Sequence, residues 1–109
     1  MKYFQVLISS ENKKQADTIL DALLAKKLIL GGSTLEGPAK FWWKAEIVSM
    51  DYCYILTYTK VELKEKIIEA VNQTTEEEVP MISFIPFEAN PKLEQLIDQT
   101  LGHGPKQEI

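Results

Sequence analysis

Apolar residues alternate, cluster and alternate again along this chain, and the rhythm marks out seven segments. Lys2 to Ser9 has period two, with Phe4, Val6 and Ile8 on one side and Tyr3, Gln5 and Leu7 on the other, which predicts a strand. Ser9 or Ser10 is placed to cap a helix over Glu11–Lys27. Its stripe is Ala16, Ile19, Leu20 and Leu23, and Lys26 and Lys27 suit its negative C-terminal end. Leu28 to Val48 is β-like but broken by Gly31-Gly32 and Gly37-Pro38, which predicts bulges or bends. Ser49-Met50-Asp51 reads as the reversal, and Tyr52–Thr59 as the returning strand. Thr59 and Glu62 match a capping box for a second helix reaching Gln73, with Leu63, Ile67, Ala70 and Val71 inward. Glu76-Glu77-Glu78 is a charged connection to a strand over Met81–Phe87. Asn90-Pro91 then starts a third helix carrying Leu93, Leu96, Ile97 and Leu101, with Gly102 as its stop.

This order, βαββαβ plus a C-terminal helix, is that of an α+β, ferredoxin-like fold: one antiparallel sheet with two helices on one face. Residues 1–102 form a single domain in this reading, and 103–109 a flexible C-terminal tail. A short third helix leaves much of the second sheet face bare, and self-association through that face is the expected remedy. Trp42 and Trp43 point the same way. Adjacent strand residues face opposite sides, and two opposed indoles are hard to cover within one small subunit. Phe41, Trp42 and Trp43 are thus the expected oligomer interface, with Trp43 expected to matter more for assembly than Trp42.

With 109 residues the chain can build one core without disulfides or metal. Cys53 is alone, so neither an internal disulfide nor a cysteine cluster is possible within the chain. No apolar run approaches the roughly 20 residues of a membrane span, and the reading is a cytoplasmic protein without a membrane partner. Net charge is −4, from 12 basic and 16 acidic residues, which argues against a nucleic-acid binder. Every basic residue is lysine, so no side chain can clamp a phosphate or carboxylate in the planar bidentate manner of arginine.

The chemistry on offer is sparse. The acidic run 76–78 offers oxygen ligands for a hard cation. His103, the one imidazole, makes a metal site only if a symmetry axis gathers several copies. Cys53 reads as a small buried hydrophobe. Any catalytic triad would have to recruit His103 near the terminus, and no catalytic residue is assigned.

Four stretches together resemble the CutA family, the divalent-cation tolerance proteins. Phe41-x-Trp43-x-Ala45-x-Ile47 is similar to the family's aromatic-x-Trp-x-Gly-x-Ile hairpin, and Glu78-Val79-Pro80-x-Ile82 to its Glu-Val-Pro-x-Ile. Thr59-x-x-Glu62-Leu63 and Asn90-Pro91 with Leu93 and Ile97 resemble its second and terminal helix starts. The resemblance implies a non-enzymatic homotrimer, similar in outline to the PII signalling proteins, with a role in divalent metal ion (copper) tolerance or response. Its alternative implication is a PII-like signalling module that binds a small metabolite in the cleft between subunits. Trp43, Lys44 and Glu78 are the expected ligand-binding residues, and Glu78 and His103 the expected metal ligands, for copper or another divalent cation. The chain departs from the family in its softer donors. Gly31 stands at the family's cysteine, and Thr75-Glu76-Glu77 replaces its His-Pro-Tyr. Thiolate and imidazole are the ligands that select copper.

Overall fold

The structure, a computed structural model, describes residues 1–101. The strands are β1 (Tyr3–Ser10), β2 (Gly32–Trp43), β3 (Glu46–Lys60) and β4 (Ile82–Pro86); the helices are α1 (Lys13–Ala25), α2 (Lys64–Thr74) and α3 (Pro91–Thr100). The sheet order is β2-β3-β1-β4, and every neighbouring pair is antiparallel. This is the expected ferredoxin-like arrangement. Gly102, the expected helix stop, and the 103–109 tail with His103 lie outside the described residues.

The alternation in β1 and β3 sorts the sheet's two faces. Val6 opposite Thr57 and Ile8 opposite Ile55 look toward α1 and α2, and all four are fully buried. Ile19 and Leu23 of α1 and Ile67 and Val71 of α2 close over them. Leu7 opposite Leu56 and Ser9 opposite Tyr54 look the other way. There α3 covers one end. Ile97 and Leu101 are buried, Tyr3 donates from its hydroxyl to Asp98 at 3.0 Å, and Phe87 packs its ring 5.2 Å from that of Tyr58. The remainder of this face is open, with Leu35 and Ile85 about half exposed.

β2 and β3 run past the end of β1. The β1 pairing stops at Ser10 opposite Cys53, whereas β2 and β3 continue from Gly37 opposite Tyr52 to Trp43 opposite Glu46. Those seven pairs make a free two-stranded ribbon roughly 23 Å long at about 3.3 Å per residue. The ribbon accounts for the 49 Å long axis of the molecule.

Several local expectations are corrected. The reversal is not at Ser49-Met50-Asp51 but at Lys44-Ala45, where φ is 48° and 69°. Two left-handed central residues make the primed turn whose twist suits a two-residue hairpin. No glycine or asparagine marks it, so composition pointed elsewhere. The pairing of β2 with β3 runs without a bulge from Gly32–Thr57 to Trp43–Glu46, and Pro38 is tolerated because β2 is an edge strand. The cap of α1 is Asn12, whose side chain accepts from the Gln15 amide at 2.8 Å, rather than Ser9 or Ser10. Thr59 caps nothing. It is the penultimate residue of β3, and its hydroxyl donates to the Leu28 carbonyl at 2.7 Å in the core. A short 3-10 turn, Val61–Leu63, leads into α2 instead. Neither Lys26 nor Lys27 lies within α1. Lys27 is left-handed (φ 56°), with its own amide bonded to the Leu24 carbonyl and that of Leu28 to Leu23. That pair of bonds is the Schellman motif, here built without glycine.

Candidate functional site

The C-terminal end of β1 organises a concavity lined by β1, the β2–β3 ribbon and residues 76–81. Ser9 is its hub. Its amide donates to the Met81 carbonyl at 2.9 Å, and its hydroxyl accepts from the Met81 amide at 2.8 Å. The same hydroxyl donates to Glu77 Oε1 at 2.9 Å. From α1, the Gln15 side-chain oxygen accepts from the Glu76 amide. The connection 76–81 is thereby laced to β1 and α1, although nothing in its own sequence is helical or strand-like.

Opposite this connection stands the free ribbon. Between them runs an open groove of about 730 Å³. Its aromatic wall is a stepped series: Phe41 packs edge-on against Tyr52 with ring centres 5.5 Å apart, and Tyr52 stands 5.6 Å from Tyr54. Met50 and Val48 continue the wall toward Trp43 at the tip. The opposite wall carries the carboxylates of Glu76, Glu77 and Glu78, with Glu11 at its foot.

Two electrostatic features define the groove. Burial pushes the Glu77 carboxyl above its ordinary value; the Ser9 hydrogen bond opposes this and the nearby Glu11 charge adds to it. At the tip, Lys44 Nζ lies 3.2 Å from Glu78 Oε1 and 5.2 Å from the centre of the Trp43 ring. Both partners of this ion pair are mostly exposed, so its contribution to stability is at most about 1 kcal/mol. Its interest is positional: an ammonium is held between a π face and a carboxylate.

Trp43, Lys44 and Glu78, singled out in the sequence, are thus brought together, although they come from the β2–β3 turn and the 76–81 connection. Phe41 is half-buried in the groove wall. Trp42 pairs with Ile47 on the ribbon's other side by the pleat, and the two are 71% and 64% exposed. The sequence reading named Glu77 only within the acidic run 76–78 and Ser9 only as a helix cap, and it gave the Tyr52–Tyr54 pair no role at a site. The alternation of β3 did place both tyrosines on one face, but nothing local tied residue 77 to residue 9.

Metal chemistry fits the described residues poorly. Among them no three His, Cys, Asp or Glu side chains gather as a ligand set. Cys53 is fully buried on the helix-covered face, and burial pushes its thiol up, away from the thiolate that binds copper. What the groove offers is carboxylate oxygen together with the thioethers of Met50 and Met81. Glu78 remains at its edge, and His103, the second expected ligand, is outside the described residues. Among the described residues no helix is long and apolar enough to cross a membrane.

Comparison with known proteins places this architecture. The CutA of Archaeoglobus fulgidus, a periplasmic divalent cation tolerance protein, superposes with a TM-score of 0.87 at 23% identity, over 92% of this chain and 99% of that one. The divalent cation tolerance protein of Thermus thermophilus gives 0.87 at 24% identity, over 92% and 99%. CutA1 from Oryza sativa gives 0.88 at 16% identity, over 95% and 97%. Identities this low establish the shared fold alone. No curated protein matches the chain in sequence. A family model described as CutA1 divalent ion tolerance protein matches residues 4–100. Almost the whole described structure falls within that match, and the chain belongs to the CutA1 divalent ion tolerance family.

Proposed function

We propose that this protein serves divalent-ion tolerance or response without catalysing a reaction, and that it works as a homotrimer. The family match over residues 4–100 carries the reading. Trimer formation is supported by the open sheet face and by a free ribbon that presents Trp42 and Ile47 to solvent, an apolar pair with no cover among the described residues. The non-enzymatic reading rests on the sequence, whose one imidazole is His103. A single free thiol suits a reducing compartment, and we assign the protein to the cytoplasm.

Among the described residues the groove holds no thiolate or imidazole, and its soft atoms are the thioether sulfurs of Met50 and Met81. Glu78, with His103 contributed by three copies, is the donor set that remains for copper or zinc. Native mass spectrometry of the protein before and after copper(II) or zinc tests both parts. A trimer that takes up metal in a way lost in Glu78→Gln or His103→Ala supports the reading. A monomer, or a trimer that takes up none, refutes it.

One observation favours a second reading, a small ligand held in the cleft between subunits. The groove's volume lies in the range of ligand sites, roughly 300–1,000 Å³, and Trp43, Lys44 and Glu78 meet at its tip. A thermal-shift screen of metabolites tests it, because a ligand bound only by the folded state must raise the midpoint.

A further inference from the structure

We draw no further inference here: the strongest candidate, the carboxylate cluster of Glu11, Glu76 and Glu77 beside Ser9 at the foot of the groove, stands against the sheet face already assigned to self-association, and no second feature among the described residues points to a ligand for it.

Discussion

The tip of the ribbon holds two L-residues in a conformation that disfavours them, and Ala45→Gly isolates the cost. Ala45 has φ 69°, in the left-handed region, where a Cβ crowds the following carbonyl by roughly 1–2 kcal/mol. Glycine relieves this but gains freedom in the unfolded chain, which returns roughly 0.4–1 kcal/mol of the benefit. A net stabilisation of about 1 kcal/mol is expected. It should be felt locally, because the ribbon lies beyond the end of β1 and its opening need not involve the core. Amide hydrogen exchange of residues flanking the turn, Trp43 to Val48, should slow about fivefold, with little change in the exchange of β1. Ala45→Val should act in the opposite sense, since a β-branched residue fits left-handed backbone worse still. Exchange that is unchanged or faster in Ala45→Gly would show that the turn is not the primed type described. The family's hairpin pattern carries glycine where this chain has Ala45, and the positive φ supplies the physical reason.

Glu77→Gln should flatten the dependence of stability on pH. Burial raises the folded carboxyl above its unfolded value near 4.5, so the charge is less favoured in the fold. The Glu77 contribution is fully present below 4.5 and is lost as pH rises through the raised value, and the slope of midpoints measured from about pH 4 to about pH 8 should lose that part in the variant. An unaltered slope would assign the effect elsewhere. Gly32→Ala should cost roughly 1–3 kcal/mol. Its new Cβ would meet Leu20 Cδ1 at 2.9 Å and the Leu56 carbonyl at 3.3 Å, and denaturant melts that show no loss would mean Leu20 swings aside. For self-association, the exposures argue for the reverse of the order read from the sequence. Trp42 is 71% and Trp43 37% exposed in one subunit, so Trp42→Ala should weaken assembly more in sedimentation velocity, and equal, negligible effects of both would remove the interface argument.

The fold was legible because its strongest signals are periodic. Phe4, Val6 and Ile8, the α1 stripe, and the Tyr52–Tyr58 alternation each determine an element and a face without help from distant residues. What was missed is where two rules compete locally. Thr59 with Glu62 has capping-box spacing, yet a buried threonine beside the Leu28 carbonyl gains more by satisfying it within β3. Ser49-Met50-Asp51 has turn composition, but its residues pair with Lys40, Ala39 and Pro38, and the actual turn lacks the residues a turn prefers. The site was half legible. Trp43, Lys44 and Glu78 were found through their motifs. Glu77 was named only as part of the acidic run, because what sets it apart comes from Ser9, and only the folded chain brings the two within hydrogen-bonding reach.

The position of β1 in the sheet has a consequence for how the chain is made. β1 is central, and it is synthesised first. Phe4 waits for Thr59 on one side and for Pro86 on the other. At 5–20 residues per second the second partner arrives on the order of ten seconds later. The β2–β3 hairpin, by contrast, closes around a two-residue turn and can zip within about 1–10 μs of its emergence. The nascent protein therefore passes through an interval in which its ribbon is formed while the strand most buried in the finished fold has both edges vacant. Chaperone demand should peak in that interval, before β3 is complete, rather than after release.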